Sequence, residues 1–322
     1  MNWAKTIKAI RHHRSFLLST HIHADFDAIA SELAMALYLK SLGKKITVIN
    51  AEELSKRFHF MPGCHLIQSF KDSLKRRLDY EAAIIMDCGD LDRIDKVRSL
   101  IKKDRLIINI DHHLTNDLFG HLNCIDPKAS STAEVLFRLF KKANFPLTRD
   151  IALLLYLGVM TDTGSFRYDT TTFYTHQMVS HLMKFDFSAS ELYRLVYERV
   201  DFDDLRLFLK VMSSLDRLWG GKVICIEMPQ KLSKRFSPEF DVRDKIFNLL
   251  RSLKDLEVVM ILTQETPDQT RVNFRAPGDR VNVAELASFF KGGGHRRASG
   301  CVIAASLPEA KKQVFFRLEK LL

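Results

Sequence analysis

Residues 106–110 read LIINI and run directly into Asp111-His112-His113. A short, unbroken apolar run that ends in ionisable side chains has the form of a strand buried on both faces where it leaves a parallel sheet. The same form recurs upstream. Ser15–Ser19 (SFLLS) leads into Thr20-His21-Ile22-His23-Ala24-Asp25-Phe26-Asp27, and Ala82–Met86 (AAIIM) leads into Asp87. Ile46–Ile49 adds a β-branched run. Between and after these runs the apolar period lengthens to that of a helix: Asp27–Leu42, stopped by Gly43, then Thr132–Lys142, Asp150–Met160 and Thr172–Lys184. Strands alternating with helices predict an α/β fold, a mostly parallel sheet flanked by helices.

In open α/β sheets, ligands bind beyond the carboxyl ends of the strands. Three of the runs deliver Asp and His to that edge, and Asp162, in MTDTGSF, follows an apolar helix. Taken singly, each acid is a turn or helix-capping residue. As a set, four carboxylates converging on one edge would repel one another strongly, and metal ions are the simplest resolution.

From about Ser188 the texture changes. Residues 188–218 read as a charged helical connector after a first domain at 1–187. Gly220-Gly221 then opens a second, smaller α/β domain at 219–322, with strands at Val223–Glu227, Val258–Thr263 and Arg271–Arg275 and helices at Val283–Phe290 and Pro308–Leu321. The chain has 322 residues, 46% hydrophobic and 27% charged, which excludes wholesale disorder. Its net charge of +10 (49 basic minus 39 acidic residues) suits an anionic partner. The longest apolar run, Ile151–Met160, is about half the roughly 20 residues a membrane span needs. Five scattered cysteines without a C-x-x-C pair argue against a disulfide scaffold. These features predict a soluble cytoplasmic protein with no membrane partner.

Together the motifs resemble those of the DHH phosphoesterase family. HIHADFDAIAS is similar to its first motif, a His followed four residues later by D-x-D. Asp87 in MDCGDLDRI resembles the second, with Arg93 at a frequent arginine position. Asp111-His112-His113 is the third, and Asp162 the fourth. VNVAELASFFKGGGHRRASG resembles the glycine-rich signature of the DHH-associated C-terminal domain. The match spans almost the whole chain in family order and points to the nanoRNase and pAp-phosphatase subgroup.

The resemblance implies His21, Asp25, Asp27, Asp87, His112 and Asp162 as ligands of two divalent ions, with Asp87 bridging. A mixed O/N set without thiolate suits Mn²⁺, or Mg²⁺ or Co²⁺, better than a closed zinc site. It implies a catalytic role for His113, oriented by Asp111, with Arg93 in support. Arg275, Gly292, Gly293, Gly294, His295 and Ser131 become substrate-binding candidates, and the active site an interdomain cleft. The expected substrates are short oligoribonucleotides, pAp or dinucleotides; a homodimer is left open. Hydrolysis of a cyclic dinucleotide such as c-di-AMP, or of pApA, is the alternative, and a non-catalytic nucleotide sensor the reading from another class.

The first motif departs from the family's H-x-N-P-D-G-D pattern. His23, Ala24 and Phe26 replace Asn, Pro and Gly, and Ala30 precedes Ser31. If the family glycine carries a positive φ, Phe26 would strain the turn. Phe26 would then pack inward or stack on a base.

Overall fold

The computed structural model describes residues 3–74, 78–237, 240–278 and 280–321, with His295 described by its backbone alone. The chain forms two compact units, Met1–Val196 and Tyr197–Leu322.

The first unit is built on six strands: β1 (Ser15–Ser19), β2 (Lys45–Asn50), β3 (Ile67–Ser69), β4 (Ala82–Met86), β5 (Leu106–Asp111) and β6 (Leu122–Ile125). Their order is β3-β2-β1-β4-β5-β6, every pair parallel. The order reverses between β1 and β4, and at such a switch point an open sheet forms its ligand crevice. Helices α1 (Trp3–His12), α2 (Phe26–Ser41), α3 (Phe70–Ser73), α4 (Thr132–Lys142), α5 (Arg149–Asp162), α6 (Phe173–Leu182) and α7 (Ala189–Tyr197) surround it.

The strand runs are apolar throughout because both faces are covered. Leu17, Ile49, Ala83, Ile85 and Ile107 share one buried cluster with Tyr80, Ile94 and Val97. The alternate residues Phe16, Leu18, Ile84 and Ile108 are equally buried on the other side, where α2, α4 and α5 pack on one another. The one polar interruption of β5, Asn109, is fully buried and satisfied: its amide donates to the Ile85 and Cys88 carbonyls.

The second unit contains α8 (Phe202–Met212), α9 (Gln230–Ser233), α10 (Val242–Leu250), α11 (Val283–Phe289) and α12 (Leu307–Leu318). Its strands are β7 (Asp216–Leu218), β8 (Val223–Met228), β9 (Val258–Thr266), β10 (Gln269–Arg275), β11 (Gly293–His295) and β12 (Ala298–Ile303). They form one mixed sheet in the order β11-β12-β10-β9-β8-β7. One face packs on α11 and α12 through Val272, Phe274, Leu286 and Val314; the other packs on α8 and α10 through Ile224, Ile261, Val211 and Ile246. The stretch 188–218 holds α7 and α8, as its helical reading predicted. It divides after Val196, and its last residues are the edge strand β7.

The glycine run also has a defined form. Residues 293–303 make an antiparallel hairpin with Arg296-Arg297 at its turn. A Cβ on Gly292 would lie 2.2 Å from the Gly300 carbonyl oxygen, and Gly294 combines φ +136° with a Cβ 2.5 Å from the Ala298 oxygen, whereas Gly293 faces open space. Gly292→Ala and Gly294→Ala are therefore expected to cost about 1–3 kcal/mol each in denaturant unfolding, and Gly293→Ala less than about 0.5 kcal/mol. Equal tolerance at all three positions would contradict the close backbone approach.

Candidate metal centre

Four chain segments meet where β1, β4 and β5 end. Thr20, directly after β1, donates its hydroxyl to the Met86 carbonyl at 2.9 Å and ties the two strand ends together. His21 follows, 7% exposed. Its Nδ1 donates to the Ile22 carbonyl at 2.7 Å, which turns Nε2 toward Asp87, 3.5 Å away. A ligand histidine held through its other nitrogen by a carbonyl is the usual arrangement at metal sites.

Asp25 caps α2, accepting the Ala28 N–H at 3.0 Å, and lies on the open side of the cluster. Asp27 points the other way and is 1% exposed. It sits on the N-terminus of α4, accepting the backbone N–H groups of Thr132 at 2.7 Å and Ala133 at 3.1 Å. The space it occupies depends on Gly158 in α5, where a Cβ would come within 2.4 Å of the Asp27 Oδ1.

Asp87 leaves β4 with φ 53°, a left-handed conformation that Asp adopts more readily than most residues. Its Oδ1 accepts the Thr132 hydroxyl at 2.8 Å and lies 3.8 Å from the His112 Nε2. His112 donates Nδ1 to the Ala129 carbonyl and turns Nε2 toward Asp162 at 3.3 Å. Asp162 is the last residue of α5.

Donor atoms of His21, Asp25 and Asp87 lie within 4.8 Å of one another, as do those of Asp27, His112 and Asp162. Asp87, Asp111, His112 and His113 form an overlapping group on the same criterion. The six residues expected as ligands are therefore brought together as two adjacent triads.

The electrostatics fit cations at this place. Burial, then the charges of Asp87 and Asp162, push the Asp27 carboxyl well above its usual range. Burial, then Asp25 and Asp87, do the same to Asp162. Asp87 goes the other way. Burial opposes its ionisation, but a hydrogen bond to His21 and the neighbouring His112 and His113 outweigh it and hold it below the usual carboxylate range. Buried carboxylates that repel one another, presenting only oxygen and imidazole donors, match a site for hard or borderline divalent ions.

Asp111, wholly buried, works behind this layer. Its Oδ1 accepts the His113 Nδ1 at 2.7 Å and the His112 backbone N–H at 2.8 Å; its Oδ2 accepts the Asn116 amide at 2.6 Å. The hydrogen bond to Asp111 raises the His113 pKa to about 9, so this imidazole is protonated at neutral pH. Arg93 lies close enough to oppose that charge, and among the described residues its side chain makes no ion pair or hydrogen bond.

Other expectations fall elsewhere. Ser131 is fully buried, and its Oγ caps α4 by accepting the Glu134 N–H. Arg275 ends β10 with its guanidinium 4.7 Å over the Phe247 ring. Gly292, Gly293 and Gly294 lie at and in β11, and the His295 side chain lies outside the described residues. Phe26 carries no positive φ; the left-handed residue of the turn is His23, at φ 54°, which faces Glu52. Phe26 instead packs inward, its ring 4.9 Å from that of Phe58, with the Arg57 guanidinium over both.

Asn116 and Gly158 were not singled out in the sequence, and Thr132 was read there only with Ser130 and Ser131 as the start of a helix, a cap or a phosphate contact, not as a partner of Asp27 and Asp87. Each acts through a contact with a residue far along the chain, and only the helix-capping position before Thr132 left a local signal.

Family models match both units of the chain. The model described as DHH family, N-terminal domain, matches residues 15–159, and the DHHA1 domain model matches residues 228–320. The chain belongs to the DHH family of phosphoesterases, which are metal-dependent enzymes. It is 30% identical over 303 residues to a probable bifunctional oligoribonuclease and PAP phosphatase NrnA of Streptococcus mutans, covering 92% of each chain. It is 26% identical over 301 residues to the bifunctional oligoribonuclease and PAP phosphatase NrnA of Thermus thermophilus, covering 93% of this chain and 87% of that one. A crystal structure of an exopolyphosphatase-related protein from Bacteroides fragilis superimposes with TM-score 0.90 at 26% identity, covering 99% of this chain and 95% of that one. Among the described residues no helix is long and apolar enough to cross a membrane.

Raised pKa values at Asp27 and Asp162 destabilise the metal-free fold progressively as pH rises above the unfolded carboxylate range near 4. Below that range both states are protonated and the cost vanishes. Added Mn²⁺ is therefore expected to raise the thermal midpoint more at pH 8 than at pH 5.5. The Asp27→Asn/Asp162→Asn double variant should lose that gain and melt higher than the parent in EDTA. An equal gain at both pH values would contradict the repulsion.

Proposed function

We propose that this protein hydrolyses short oligoribonucleotides to mononucleotides and removes the 3′-phosphate of pAp, as a soluble cytoplasmic enzyme using two Mn²⁺ ions. The observation that carries this reading is the pair of adjacent triads with His113, held by Asp111 at 2.7 Å, beside them. His21, Asp25 and Asp87 would hold one ion, and Asp27, His112 and Asp162 the other, and the family resemblance makes Asp87 the residue that would serve both. When bound, the ions supply Lewis-acid activation of the attacking water and charge neutralisation on the phosphate.

The protein's own groups supply the rest. Four aspartates balance two divalent ions, so the charge of the phosphate must be met by groups outside the ligand set. His113 donates a proton-bearing nitrogen to a non-bridging oxygen or to the leaving oxygen, and Asp111 fixes its orientation. Arg93, on the turn whose carbonyl accepts the Ile22 N–H at 2.8 Å, adds positive charge. Arg275, the Gly292–Gly294 backbone and His295 are assigned to gripping a further substrate phosphate. Relatives named as oligoribonuclease and PAP phosphatase along nearly their whole length support this reading over a pyrophosphatase or a long-strand exonuclease.

The protein with Mn²⁺ should convert a labelled RNA pentamer to mononucleotides and pAp to AMP, and an Asp111→Ala/His112→Ala variant should lose at least about a hundredfold in rate. Turnover of cyclic di-AMP alone would move the assignment to second-messenger hydrolysis. No turnover with Mn²⁺, Mg²⁺ or Co²⁺ would leave a nucleotide sensor. Side-by-side assays with these metals also decide the Mn²⁺ assignment.

A further inference from the structure

On the flank of the first unit, α4 and α6 lie side by side and enclose a surface groove of about 540 Å³. Phe137 forms its floor, 2% exposed, and Phe173 its rim, 78% exposed. Lys141, Lys184 and His181 line it, and no acidic side chain does. The His181 ring stands edge-on to Phe137 at 5.6 Å, and the Lys141 Nζ lies 5.6 Å from the same ring. Neither lysine forms an ion pair with another described residue. Burial, and then the charges of Lys184 and Lys141, push the His181 pKa down, as expected in an uncompensated positive field.

We propose that this groove is an accessory binding site for the distal nucleotides of a short single-stranded oligoribonucleotide whose reacting phosphate lies at the metal centre. The proposal rests on the phosphodiesterase reading above.

Aromatic rings interleaved with cations are the general device for holding single strands: the rings stack bases and the cations meet phosphates. Placement adds a second argument. The start of α4 belongs to the centre itself, since Thr132 donates to both Asp27 and Asp87. Phe137 and Lys141 lie five and nine residues further along that helix. At about 1.5 Å of rise per residue they are roughly 8 and 14 Å from Thr132 along the axis. Helix α6 runs beside α4 in the same direction, joined near its start by the Thr175 hydroxyl on Glu134 and further on by His181 against Phe137. Lys141, at the far end of the groove, thus lies roughly 14 Å along the helix from Thr132, a length that several nucleotides span and pAp does not.

The test uses the full-length protein carrying Lys141→Glu/Lys184→Glu, and separately Phe173→Ala. With Mn²⁺, the KM for an RNA pentamer should rise about tenfold or more in the charge variant, in keeping with the loss of a stacked and ion-paired nucleotide. The pentamer kcat, both pAp constants and the thermal midpoint should stay unchanged. In EDTA, anisotropy of a fluorescein-labelled pentacytidylate should show a matching loss of affinity, with a smaller loss for Phe173→Ala. Equal effects on pentamer and pAp, or none on either, would overturn the site. Light scattering that shows a parental dimer and a monomeric variant with unchanged pentamer KM would give the groove to a second copy of the chain. If the parent turns over neither substrate, the phosphodiesterase reading fails, and the EDTA binding arm still decides the groove.

Discussion

Buried carboxylates that face one another are the constraint on which the rest of this structure depends. Asp27 and Asp87 are 1% and 2% exposed, and Asp162 joins them from the end of α5. Without cations such a set disfavours its own ionisation, and a sequence selected for stability alone would not assemble it. The protein counters part of the repulsion with fixed dipoles and imidazoles. The α4 N-terminus takes Asp27 through two backbone N–H groups, and Asp87 is flanked by His21, His112 and His113. The remainder is left for metal ions.

The parallel sheet makes this arrangement buildable. Strands covered on both faces end together at one edge, and the reversal of order between β1 and β4 opens a crevice there. Each ligand-bearing turn is then pinned by a bond that crosses strands. Thr20 reaches the end of β4, Ile22 reaches Arg93, and Asn116 reaches Asp111, Asn109 and the Cys88 carbonyl. A one-residue change in β5, placing Asn109 among isoleucines, thereby serves the site: its side chain accepts the amide that orients Asp111, which in turn holds His113.

Much of this was legible in the sequence because burial on two faces leaves an unbroken apolar run. SFLLS and AAIIM mark β1 and β4 at their bounds, and LIINI marks β5 short by one residue. The short strands escaped for the converse reason. β3 and β6 are three and four residues long and half-buried, so they carry no run and no alternation long enough to read. In the second unit, β12 hid inside the glycine signature, whose Gly292 and Gly294 are placed by backbone crowding within a hairpin. At the centre, acids and histidines at strand ends could be named from position and resemblance. Gly158 and Asn116, and the contacts of Thr132 with Asp27 and Asp87, could not, because they depend on neighbours brought close only by folding. Phe26 shows the reverse error: the strain expected at a replaced glycine does not arise, since the turn takes its positive φ at His23 and the ring finds Phe58 and Arg57.

The central claim is that the two adjacent triads form one two-ion site with Asp87 between the ions. Anomalous diffraction at the manganese edge from crystals grown with Mn²⁺ tests it directly. The account predicts two peaks about 3.5–4 Å apart, one against His21, Asp25 and Asp87 and the other against Asp27, His112 and Asp162, with the Asp87 carboxylate touching both. A single peak, or two that leave Asp87 uncoordinated, would contradict it.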